Sequence, residues 1–161
     1  MDFSYLTPEL ATFLSSLLPG LELRIGIPIG IAMGLPAWQA FVIGVLGSIA
    51  PAFFILKLLD PATNLARKYS KLADRFFTHL FDKTRNKHKT KFEKYGSIFI
   101  IIFVAIPLPG SGVWTGSLIA YLFGVKYSKA IALVSVGAML AGILVTAGFG
   151  SIYAIFNYIT G

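Results

Sequence analysis

The chain has 161 residues, 13% of them charged, a net charge of +7 and a mean hydropathy of +0.76. A soluble domain of this size could not bury so much apolar surface, so the chain reads as a single all-α integral membrane domain. It has no cysteine, which excludes a disulfide framework or a thiolate site, and its two histidines, His79 and His88, both sit in a basic segment. No metal or cofactor site is expected.

The N-terminus, Met1-Asp-Phe-Ser4, lacks a basic region and is not read as a cleaved signal peptide. Residues 8–18 form an apolar run of about eleven, where a full crossing needs about twenty. Pro19-Gly20 interrupts it, and helix resumes near Leu23 and ends around Gly34-Leu-Pro36. Two short arms around a break predict a re-entrant hairpin, which a membrane tolerates only when the broken backbone is buried in protein or lines a wet cavity. Gly26, Gly30 and Gly34, four residues apart, share one face as a helix-packing stripe.

Residues 37–58 are long enough to span, with Trp38 at one interface and Lys57 at the other; Pro51 is expected to kink them. Residues 57–94 hold eleven of the fourteen Lys and Arg. In a soluble chain such a cluster would point to nucleic acid. Between hydrophobic segments the positive-inside rule accounts for it and places it in the cytoplasm. Leu65, Tyr69, Leu72, Phe76 and Leu80 recur at helical spacing, predicting an amphipathic helix on the inner membrane surface. The basic stretch Lys83–Lys91 follows it as a solvated or lipid-contacting segment, with His79 and His88 as surface residues.

Residues 97–106 are another short apolar arm. The break 107–112 and an arm from Val113 to Phe123 follow, with Gly112, Gly116, Ala120 and Gly124 as a second stripe. Lys126 and Lys129 place this hairpin's exit on the cytoplasmic side. Residues 130–149 span, and 150–161 form an aromatic tail with Tyr153, Phe156 and Tyr158 at the interface.

The two breaks lie 90 positions apart in an ungapped match that pairs Leu18/Leu108, Pro19/Pro109, Gly20/Gly110, Gly26/Gly116, Ile29/Ile119, Gly34/Gly124, Ala40/Ala130 and Gly47/Gly137. The expected fold is therefore an inverted repeat of a re-entrant helical hairpin plus a transmembrane helix. Repeat 1 covers about 8–58, a cytoplasmic amphipathic linker about 59–94, and repeat 2 about 95–149. The two stripes are expected to pack hairpin against hairpin. The rival architecture is four plain crossings, which puts Lys126 and Lys129 outside. Two spans and two hairpins shield the polar breaks poorly, which predicts a homo-oligomer.

Paired broken segments in corresponding halves point to a transporter-type site. Free N–H groups near Leu21 and Ser111 would converge there with positive helix-dipole ends. Gly20, Pro109, Gly110 and Gly112 let backbone approach a ligand, and Arg24 adds positive charge, so the site suits a phosphate or carboxylate. Glu22 is costly at a bilayer centre. It serves as an ion-pair partner of Arg24, as a hydrated carboxylate, or as a proton or substrate ligand. Two apart on a regular helix, Glu22 and Arg24 point to different sides, so a direct pair needs an irregular turn there. Trp114, at the position equivalent to Arg24, walls the cavity or packs; Ser111 and Thr115 offer hydroxyls. Neither a nucleotide loop nor a nucleophile–base pair is present, and an enzyme is not expected.

Two stretches carry a family likeness: Glu22-Leu-Arg-Ile-Gly-Ile-Pro28 followed by Gly34, and Ile106-Pro-Leu-Pro-Gly-Ser-Gly-Val-Trp-Thr-Gly116 followed by Ala120. Over about residues 15–150 the chain resembles the small multidrug export proteins. That family is similar to the DedA (VTT-type) membrane proteins, whose re-entrant hairpins carry acids and arginines. The resemblance implies a proton-coupled transporter or a lipid flippase, although the second hairpin here lacks both an acid and an arginine. The expected function is a plasma-membrane secondary transporter or flippase for an amphiphile with an anionic head, working with membrane lipid and without nucleic acid. The alternatives are export of cationic hydrophobic drugs against Glu22, and a non-transporting membrane scaffold acting through the basic helix. On the first reading, Glu22→Gln and Arg24→Ala should abolish movement and leave folding intact.

Overall fold

Thr7 starts the first helix. Its hydroxyl accepts the Leu10 N–H at 3.4 Å, and proline opens α1 (Pro8–Leu17). In the computed structural model, which describes residues 7–69, 71–106 and 110–160, six more helices follow: α2 (Glu22–Ala32), α3 (Ala37–Tyr69), α4 (Lys71–Tyr95), α5 (Ile98–Ala105), α6 (Val113–Leu122) and α7 (Tyr127–Thr160). α1 stops at Leu18, extended at φ −74° and ψ 138°, because Pro19 disfavours helix in the residue before it.

α1 and α2 run back along each other. Thr12 lies on Gly30 and Ser16 on Gly26, so tightly that a Cβ on either glycine would overlap them. Gly116 of α6 meets Val104 of α5 in the same way. These contacts correct the expected use of Gly26, Gly30 and Gly116, because they close each pair of short helices on itself; of the second stripe, Gly112 faces the other pair, at Glu22. Gly34 and Gly124 do not pack at all. They sit at φ +96° and +67° with open space around the Cβ position, and each terminates a helix. Leu35 N–H donates to Gly30 O, and Val125 N–H to Ala120 O, both at 2.9 Å; this is the bond that seals a helix end behind a left-handed residue.

The 90-residue spacing holds in the structure. α1 and α5 begin at 8 and 98, α2 and α6 end at 32 and 122, and α3 and α7 begin at 37 and 127. Ala40/Ala130 are fully buried in both halves. Ala37–Leu59 and Tyr127–Phe149 are 23-residue segments with mean hydropathy 2.2 and 2.3, long and apolar enough to cross a membrane. Only a third of each is buried within the protein, whereas the core helix of a soluble domain would be mostly buried. Leu46, Phe54, Ile143 and Leu144 are among the large apolar side chains left exposed on these two helices.

The segment between the halves departs from expectation in its helix boundaries and at His88. α3 runs on through Pro61 to Tyr69, and the basic stretch Lys83–Lys91 lies inside α4. The face that docks on the protein is Phe77, Phe81, His88 and Phe92, while Leu72 and Phe76 are 79% and 63% exposed. Two adjacent apolar stripes about one residue apart fit the same helical period, and only the partner surface chooses between them. Phe92 stacks on Phe123 at 4.2 Å, and Phe81 meets Tyr121 at 6.0 Å. The aromatic tail continues α7 as helix to Thr160; the side chains of Tyr153, Phe156 and Tyr158 lie outside the described residues.

His88 is the other correction. It is 6% exposed, not a surface residue, and its ring lies 4.9 Å from Phe103 and 5.8 Å from Phe99 of α5. Burial, and then the charges of Lys87 and Lys91, hold it below the usual imidazole value; the α5 rings facing it carry no charge. The neutral form therefore docks. Free imidazole takes its proton near pH 6.5, so docking is fully stable above that pH and weakens as pH falls through the lower folded value. Hydrogen exchange along α4 should lose protection between about pH 7.5 and about pH 5.5 beyond the intrinsic rate change, and His88→Leu should remove that dependence.

Candidate functional site

The polar groups of the two breaks meet at the start of α2 and the start of α6. Glu22 opens α2 with its backbone in the left-handed region, φ +49°, the one non-glycine described residue with positive φ. That irregular turn swings its side chain out of the helical register and toward α6. There it is 5% exposed, and its two carboxylate oxygens accept the N–H groups of Val113 and Trp114, both at 3.3 Å. The carboxylate thus caps α6, on donors that have no partner within their own helix. Gly112 makes this possible, since a Cβ there would overlap the Glu22 carboxylate.

The same turn brings Arg24 beside Glu22, with Nη1 3.8 Å from Oε2. Its Nη2 donates to Ile106 O at 3.1 Å and Val104 O at 3.4 Å, the carbonyls that end α5, and lies 3.2 Å from Ser111 Oγ. Ser111 in turn donates to Ile106 O at 2.7 Å. Trp114, the equivalent of Arg24, lines a depression on the protein's surface and also makes a polar contact. Its Nε1–H donates to Leu17 O, the last carbonyl of α1, at 3.2 Å. Each outgoing helix therefore sends a donor into the end of the other pair's incoming helix.

The structure brings Glu22, Arg24, Ser111, Gly112 and Trp114 together and leaves other predicted residues apart. Thr115 faces away from Glu22 into a depression that it lines together with Trp114, Ile55, Phe77 and Leu118. Gly20 and Gly110 are exposed turn residues at φ +86° and +77°, where a side chain would be strained although space is open. Pro109 lies outside the described residues. The sequence reading missed Ser48, whose buried hydroxyl accepts the Leu23 N–H at 2.7 Å and donates to Ser16 O at 3.1 Å. It caps α2 as Glu22 caps α6. A lone hydroxyl within an apolar span was the available signal. Ser48→Ala should leave both groups unpaired and lower stability by about 1–3 kcal/mol, visible as an earlier thermal midpoint in detergent.

A cleft of about 480 Å³ runs between α4 and α5 to the break, from Lys91 and Tyr95 past Phe99, Ile102 and Ile106 to Ser111. Among the described residues no group of His, Cys, Asp or Glu could hold a metal ion.

Two membrane-length helices and a polar junction buried between paired short helices fit an all-α, membrane-associated protein. The sequence match is in keeping with that class. Residues 22–144 match the family described as "Putative small multi-drug export protein", and the chain belongs to that family. The description names multi-drug export and no catalysed reaction. No curated protein matches the chain, and no solved structure matches it.

Proposed function

We propose that this protein is a proton-coupled secondary transporter or lipid flippase for an amphiphile with an anionic head. In this reading the α1–α2 and α5–α6 pairs are re-entrant hairpins that enter a plasma membrane from opposite faces, as the DedA likeness implies. The homo-oligomer and the cytoplasmic placement of α4 belong to the same proposal. The observation that carries it is the Glu22 carboxylate on the α6 N-terminus, beside Arg24. That seat already accepts an anionic group. A substrate head would compete for the same two N–H donors, and protonation of Glu22 would weaken its charge-assisted bonds and vacate them. The left-handed backbone at Glu22, worth about 1–2 kcal/mol of strain, lowers the cost of leaving. Proton and substrate thus exchange at one place.

The family description favours a second reading, export of hydrophobic cations against Glu22. Two features weigh against it: Glu22 is already engaged by Arg24 and two backbone donors, and a lysine lines the adjoining cleft. In proteoliposomes, Glu22→Gln should slow movement of an anionic lipid probe by at least about tenfold, the effect of losing one charge-assisted hydrogen bond. Normal flux in this variant would end the proposal. Proton uptake stimulated by a lipophilic cation and lost in Glu22→Gln would put the second reading in its place.

A further inference from the structure

The cleft between α4 and α5 is larger than the seat on α6 and differs from it in character. We infer that it holds the apolar body of the transported molecule and selects a single-chain amphiphile whose anionic head pairs with Lys91. The inference rests on the anionic-amphiphile reading above and adds where that molecule enters and how it is chosen.

Three observations support it. The volume, about 480 Å³, falls in the range of sites for one small molecule and leaves no room for a two-chain lipid. The walls are apolar: Phe99, Ile102 and Ile106 form a continuous surface along α5, a helix roughly 12 Å long. The charge is one-signed, because among the described residues Lys91 lines the cleft and no acidic side chain does. At the far end lies Ser111, whose hydroxyl is 3.2 Å from Arg24 Nη2. An anion held at Lys91 is therefore connected by the cleft to the second cation, which sits beside the seat on α6. A hydrophobic cation would meet like charge at both ends.

The absence of cysteine allows a clean test. Ile102→Cys places a thiol in the cleft, and Ile143→Cys places a control on the exposed face of α7. Both are reacted with a maleimide in nanodiscs of uncharged lipid. Dodecyl phosphate should protect position 102 and not 143, while dodecyltrimethylammonium and inorganic phosphate protect neither. Lys91→Glu, an exposed substitution, should raise the half-protecting concentration of dodecyl phosphate by about tenfold. Equal protection by the cation, equal protection at 143, or indifference to Lys91→Glu would overturn the inference. Flux through Glu22→Gln is read separately. Unselective protection with lost flux removes the cleft and leaves the transport reading; selective protection with normal flux does the reverse.

Discussion

Arg24→Ala should lower stability by about 3–5 kcal/mol and abolish transport together, because it removes one partner of a buried charge pair. The geometry explains why the two losses are coupled. The guanidinium is the stitch between the two helix pairs: from α2 it reaches two carbonyls that end α5, Ser111 at the break, and Glu22. Without it Val104 O loses this donor, Ile106 O keeps only the Ser111 hydroxyl, and Glu22 is left with backbone partners alone. The expectation that folding would be intact in this variant gives way to these contacts. Arg24→Lys separates charge from geometry. A lysine keeps the positive charge beside Glu22 but cannot fork among the acceptors as a planar guanidinium does. It should recover part of the lost stability, read as a thermal midpoint between those of Arg24→Ala and the native chain. A midpoint for Arg24→Ala equal to the native one would show that the stitch does not hold the two pairs together.

Gly112→Ala should be nearly as damaging to transport as Glu22→Gln, although it alters no charge. The added Cβ would occupy the space of the Glu22 carboxylate, which must leave the Val113 and Trp114 N–H groups. The φ of Gly112, 166°, is open to any residue, so the effect is steric displacement and not backbone strain. Overpacking costs about 1–3 kcal/mol. Gly148→Ala is the matched control: it is helical, exposed, and a Cβ there meets nothing within 4 Å. Its stability should hold or rise by up to about 1 kcal/mol, the helix preference of alanine over glycine, and its flux should not change. Full flux in Gly112→Ala would separate transport from the carboxylate seat.

Much of the architecture was legible because it depends on local rules. Pro19 after Leu18 and the terminal glycines Gly34 and Gly124 punctuate the chain through backbone sterics, so the short helices and their ends could be read from spacing. The long apolar helices follow from composition. The irregular turn at Glu22 was legible only as a condition, namely that Glu22 and Arg24 could pair if the helix register broke there. What could not be read was which surfaces meet. The glycine stripes look alike whether they face their own hairpin or the other one, and α4 offers two apolar stripes. Neither stripe announces the burial of His88, because burial of a histidine depends on the helix that covers it.

The amino-acid sequence by itself determined that this is a helical, membrane-associated chain in two matching halves, each broken at a proline and glycine. Hydropathy and backbone sterics act over a few residues and need no partner. Only the tertiary structure decided that Glu22 occupies the anion seat of α6, that Arg24 and Trp114 cross to the other half's helix ends, and that Ser48 does for α2 what Glu22 does for α6. These bonds join residues 25 to 97 positions apart. The donors and acceptors are left free by the breaks, and which of them pair is settled by packing across the chain.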